Sequence, residues 1–147
     1  MTSSIRTVLD PAGDYYIWLR IYTDWVIIRI MSLDPNLFFR ALADRTRLRC
    51  LLLLAGEGEL CVCELTYALA IAQPKASRHL ALLREAGVVR DRRAGLWVYY
   101  RIRPDLPAWA NGVLQATLAG VARREPFAHD RARLARMPNR PDALCCA

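Results

Sequence analysis

The sequence predicts a mainly α-helical domain carrying one small β-hairpin. Three observations lead there. Apolar residues recur at helical spacing from Leu33 to Leu83, the period drops to two between Val88 and Ile102, and helical spacing resumes from about Asp105 to Val121. At 147 residues and 54% hydrophobic, the chain has room for one ordinary domain and an appendage, and wholesale disorder is excluded.

Each element has its own signal. Asp34 suits an N-cap and Pro35 a first helical position, opening a short helix through Leu37, Phe38, Ala41 and Leu42. Asp44 caps a second helix with Leu48, Leu51, Leu52 and Ala55 inward, expected to stop at Gly56. Cys61 to Ala70 is a third, short helix, and no Ser, Thr or Asp cap follows Glu57-Gly58-Glu59-Leu60 at its start. Gln73-Pro74 opens a fourth, which runs through Leu80 and Leu83 to Gly87. Val88–Arg90 and Leu96–Ile102 are strand-like and flank the turn Arg92-Arg93-Ala94-Gly95. In the second run Val98, Tyr100 and Ile102 share one face, and Trp97, Tyr99 and Arg101 the other. Leu106, Trp109, Val113, Thr117 and Val121 mark the last helix. This order is the layout of a winged helix-turn-helix.

The domain is expected over residues 33–125, between an N-terminal extension (1–32) and a flexible tail (126–147). In the extension, Arg20, Asp24 and Arg29 interrupt the apolar run from Tyr15 to Met31, and 17 residues is at the short limit for a membrane span. Asp10 and Asp14 ahead of it argue against a signal peptide. Two readings stay open: an over-long assigned start with Met31 as the natural one, or an extra helix on a dimer interface or a membrane surface. The tail carries three prolines, a short helix expected at Asp130–Met137, and the pair Cys145-Cys146. Five cysteines, an odd number, in a chain with few loops fit reduced thiols in the cytoplasm, with no membrane partner expected.

The charge is unevenly placed. Residues 73–103 hold eight basic side chains against two acids, a net +6, while the rest of the chain nets +1. Such a window is presented to a polyanion, with double-stranded DNA the first candidate. Ala76, Leu80 and Leu83 form the inward stripe of the fourth helix, which leaves Gln73, Lys75, Ser77, Arg78 and Arg84 for base edges and phosphates. Arg92 and Arg93, at the hairpin tip, are placed to straddle the backbone or enter the minor groove. His79 is assigned to the same surface, although a boundary histidine beside the core fits its position equally.

Cys61-Val62-Cys63 sits where the third helix begins, a position that favours thiolate and hence soft ions. Residues two apart on a regular helix lie about 200° apart around the axis. On that geometry, gripping one ion distorts the first turn and the helix behind it. Two small buried thiols at a helix start fit the same pattern. Cys50 reads as core. No catalytic role is expected: neither His79 nor His129 is spaced to activate a thiol, and no nucleophile signature is present.

Taken together, Glu59-Leu-Cys-Val-Cys-Glu-Leu65, Gln73-Pro-Lys-Ala-Ser-Arg-His-Leu-Ala-Leu-Leu-Arg-Glu-Ala-Gly87, Gly95-Leu-Trp-Val-Tyr-Tyr-Arg101 and Pro107-Ala-Trp109 resemble the ArsR/SmtB repressors, specifically the arsenic-responsive members. The resemblance spans roughly residues 33–125. It implies a homodimer joined through its first and last helices, bound to a two-fold operator upstream of a resistance operon and released by As(III) or Sb(III). The sensing cysteines carry over onto Cys61 and Cys63. The third cysteine common in the family's arsenic site falls on Thr66, which leaves the third ligand to Cys145, Cys146 or solvent. Relatives that sense lead or cadmium add N-terminal cysteines, and residues 1–49 have none. Zinc-sensing relatives use histidine on the last helix, and 105–125 has none. Sensing of cadmium or lead, or of oxidation, through the same thiols is the alternative.

Overall fold

The computed structural model describes residues 33–141. The expectations for the extension and for Cys145-Cys146 lie outside the described residues. Among the described residues, six helices and a three-stranded sheet follow one another as α1 (Pro35–Leu42), α2 (Arg45–Glu57), β1 (Glu59–Cys61), α3 (Val62–Leu69), α4 (Gln73–Glu85), β2 (Val89–Ala94), β3 (Trp97–Ile102), α5 (Ala108–Val121) and α6 (Phe127–Ala135).

The helix starts follow local chemistry. The Asp34 carboxylate accepts from the Asn36 N–H at 2.8 Å, and that of Asp44 from the Arg47 N–H at 2.8 Å, so both aspartates cap as expected. Helix α2 runs past Gly56, however. Gly58 is the residue with left-handed φ, +91°, and its N–H closes on Leu54 O, so the helix ends at Glu57. Phe38, Leu51, Leu54, Leu65, Leu80, Leu83, Val88 and Leu114 fill one continuous core.

The sheet order is β1-β3-β2, all antiparallel. Strand β1 was not expected. Three residues with Gly58 in front carry too short a pattern to signal a strand, and β1 exists because β3 offers it an edge: Glu59 pairs with Arg101, Leu60 with Tyr100, and Cys61 with Tyr99. The hairpin ladder runs to Ala94 opposite Trp97, so the turn is only Gly95-Leu96 and Arg92 and Arg93 lie in β2. Trp97 and Arg101 are exposed and Val98 and Ile102 half-buried, in line with the expected faces, but Tyr99 is as buried as Tyr100, with the Arg92 guanidinium over its ring.

The largest correction concerns the stretch expected as a flexible tail. Residues Phe127–Ala135 form α6, which packs on α2 and α3, with Leu134 and Asp130 each about 1% exposed. The packed domain therefore extends well beyond residue 125. The short helix expected at Asp130–Met137 is present but starts earlier, at Phe127; what the sequence did not signal is its packing, which rests largely on charged groups such as Asp130.

Candidate nucleic-acid interface and thiol site

Helix α4 follows α3 after the tight turn at Ala70, whose φ of 54° is left-handed. Its buried stripe is Ala76, Leu80 and Leu83, all fully inaccessible. That fixes Gln73, Lys75, Ser77 and Arg78 on the outside, all exposed. Lys75 and Arg78 form no ion pair among the described residues. The N-cap, Ala72, has no side-chain acceptor, but Pro74 lacks an N–H and the Lys75 N–H donates to Ala72 O at 3.0 Å, so in the first turn only the Gln73 N–H is left for solvent or a phosphate.

The other basic residues assigned to this surface are placed differently. His79 turns inward: its Nδ1 is buried, 3.6 Å from Asp44 Oδ1, and has no hydrogen-bond partner. It therefore borders the core rather than facing outward. Burial opposes ionisation of Asp44, but the Arg47 N–H and the nearby Arg47 and His79 charges bring its carboxyl below the ordinary value. Arg84 reaches Asp91 at 3.3 Å and ties α4 to the wing. Arg92 bonds Glu59 through Nε at 2.8 Å, and its guanidinium lies 4.6 Å from the centre of the Tyr99 ring. Arg93 stays exposed.

At the thiol end, the expectation of splayed sulfurs fails. Cys61 is not helical. It closes β1 in extended conformation (φ −78°, ψ 163°) and is the N-cap of α3, so Cys61 and Cys63 are 5.4 Å apart at Cα and their sulfurs meet in a disulfide without bending any turn of α3. Nor is the helix start uncapped. Cys61 Sγ accepts from the Glu64 N–H at 3.3 Å while Glu64 Oε2 accepts from the Cys61 N–H at 2.7 Å, a reciprocal capping box. The pattern x-x-Glu three residues after the cap was in the sequence; what hid it was a cysteine in place of serine.

The Glu64 carboxylate is fully buried, and its other oxygen accepts from Arg140 Nε at 2.8 Å. Two more arginines hold the far end of α3. Arg133 donates to Tyr67 O at 3.2 and 3.1 Å, and Arg49 to Leu69 O at 3.2 Å while also bonding Asp130 at 2.7 Å. Cations on the carbonyl end of a helix oppose its partial negative charge. Thr66 spends its hydroxyl on Cys63 O at 2.8 Å. Cys50 is fully buried, which pushes its thiol up to about 12 and leaves it a core residue.

Residues 44–91, from the cap of α2 into the wing, match the family described as bacterial regulatory protein, arsR family. Over 116 residues the chain is 53% identical to the arsenic resistance transcriptional regulator ArsR1 of Pseudomonas putida, an alignment covering 78% of this chain and 89% of that protein. The chain belongs to the arsR family. It is a DNA-binding transcriptional repressor, not an enzyme. Among solved structures, HlyU of Vibrio cholerae is similar at a TM-score of 0.54 and 28% identity, covering 59% of this chain and 90% of HlyU. The AntR antimony-specific transcriptional repressor is similar at 0.50 and 26%, covering 81% and 97%. Within this arsR-family chain, the residues that sequence reasoning missed are Glu64, Arg140, Arg49 and Asp130. Their partners are 76 and 81 positions apart, and no local pattern signals such pairs.

Proposed function

We propose that this chain is a cytoplasmic, homodimeric repressor of a metalloid-resistance operon, released from its operator when As(III) or Sb(III) binds Cys61 and Cys63. The observation that carries the reading is the convergence of both sulfurs at the junction of β1 and α3. Reduced, this pair offers two soft thiolate donors at one point. The same residue, Cys61, is laddered to Tyr99 of the wing and caps the helix ahead of α4.

Release then follows from competition for one sulfur. Drawing Cys61 Sγ onto the metalloid takes it from the Glu64 amide and shifts the end of β1, and with it the wing. The likeness to an arsenic resistance regulator and an antimony-specific repressor supports the choice of ion. With Thr66 in place of a third cysteine, the third donor is assigned to Cys145, Cys146 or a solvent oxygen. Arg140, paired to Glu64 beside the thiols, precedes them by five and six residues, roughly 20 Å of extended chain at most. DNA contact is assigned to Gln73, Lys75, Ser77 and Arg78 on α4 and to Arg93 on the wing. For the dimer, Leu37 and Phe39 on α1 and Trp109 on α5 remain exposed, with Phe39 and Trp109 rings 6.2 Å apart, an apolar face suited to a second copy.

The test is fluorescence anisotropy of labelled upstream DNA with the reduced protein, challenged in turn with arsenite, antimonite, cadmium, zinc and hydrogen peroxide. Arsenite or antimonite releases the wild type but neither Cys61→Ser nor Cys63→Ser, both of which still bind DNA. Serine at 61 keeps the capping box, so that variant isolates the ligand role. Release that persists in both variants ends the reading. The Cys61–Cys63 disulfide favours a second one, in which the two thiols give two electrons and two protons to a peroxide, yielding the disulfide and two waters. Release by peroxide and not by arsenite selects it.

A further inference from the structure

The wing ends in an apolar point. The ladder closes at Ala94 opposite Trp97, Gly95 takes the first turn position at φ +60°, and Leu96 takes the second. Leu96 is 99% exposed and Trp97 48%. Leu96 thus does nothing for the fold, and a polar residue would serve the turn equally. One rung below the tip Arg93 is exposed, and further down the hairpin so are the cross-strand pair Arg90 and Arg101.

We propose that Leu96, with Trp97 beside it, is an apolar wedge that the wing drives into the operator's minor groove, opening a base step and bending the duplex. Two observations favour DNA over other occupants. The flanking charge complements phosphate, and a leucine between base steps is a form of contact that bends DNA toward the major groove. A protein partner needs about 800 Å² on each side, far more than two side chains at a turn provide. The wedge sets specificity without hydrogen bonds: it favours a flexible pyrimidine–purine step, such as TA, where the wing lands, over a stiff A-tract.

The inference rests on operator binding by this domain. The experiment uses the full chain and a duplex it selects from a random pool, with dyes at the two ends so that energy transfer reads the bend. The wild type shortens the end-to-end distance. Leu96→Ser binds about fivefold more weakly, loses the shortening, and no longer prefers a TA step over an A-tract at the wing position. Leu96→Lys separates the wedge from charge, because it regains affinity through an added cation yet leaves the duplex straight. Unchanged bending in both variants overturns the proposal while leaving DNA recognition intact. Failure of the wild type to select any duplex defeats the DNA reading and the wedge together. Vesicles of phosphatidylserine and phosphatidylcholine are a further arm. Binding to them that Leu96→Ser abolishes, with bending unaltered, also overturns the proposal and reassigns the tip to a lipid surface.

Discussion

The seam where α6 meets α2 and α3 and the outer face of α4 are built from the same side chains and use them oppositely. In the seam, Arg49 sits against a buried Asp130, and just past α6 Arg140 sits against a buried Glu64 in the first turn of α3. On α4, Lys75 and Arg78 point outward with no carboxylate within reach among the described residues. The wing lies between these extremes, with Arg92 held by Glu59 and Arg93 exposed. A chain with twenty arginines and one lysine is therefore not uniformly a polyanion binder. Whether a cation holds the fold or is offered to a ligand depends on whether folding brings it a carboxylate.

The largest effect that sharpens this contrast is in the seam. Asp130→Ala strands Arg49 beside Leu69 O without a countercharge, and urea unfolding should show a loss of about 3 kcal/mol while operator affinity per folded molecule is unchanged. Next comes α4. Lys75→Ala or Arg78→Ala should leave the urea midpoint in place, weaken operator binding about tenfold, and flatten the salt dependence by about one unit of slope. Arg92→Ala should flatten it far less, since Glu59 already neutralises that guanidinium. An equal loss of slope at positions 78 and 92 would erase the distinction between presented and held arginines.

The effect that is smallest at neutral pH concerns the buried thiol of Cys50. Burial holds Cys50 protonated up to about 12 against an ordinary value of 9.0. The folded state thus keeps a proton that the unfolded state loses, so the stabilisation is complete below pH 9 and disappears as pH rises from 9 towards 12. Urea midpoints should fall over that window more steeply in the wild type than in Cys50→Ala, and at neutral pH iodoacetamide should spare Cys50 in the native chain. Modification of Cys50 under native conditions would refute its placement in the core.

Much of the fold was readable because it is written in short-range signals. Asp34-Pro35, Asp44, Gln73-Pro74 and the switch of period after Gly87 mark their elements through capping, fixed φ and side-chain alternation, which involve only a few neighbouring residues. The thiol site was readable in identity but not in shape. Treating Cys61 as helical put the sulfurs on opposite sides of α3, whereas pairing with Tyr99 draws that residue into a strand. His79 was similarly ambiguous on the helical wheel, and only the fold shows its Nδ1 turned inward, 3.6 Å from Asp44 Oδ1.

By itself, then, the sequence determined the order of elements, the outward row Gln73, Lys75, Ser77 and Arg78, and the presence of two soft donors at a helix start. All of these follow from spacing along the chain. Tertiary structure alone decided that the sulfurs meet, that residues 127–135 belong to the domain, and which arginines are held and which are presented. Those outcomes depend on groups separated by dozens of positions, where a β edge or a buried carboxylate is supplied only once the chain has folded back on itself.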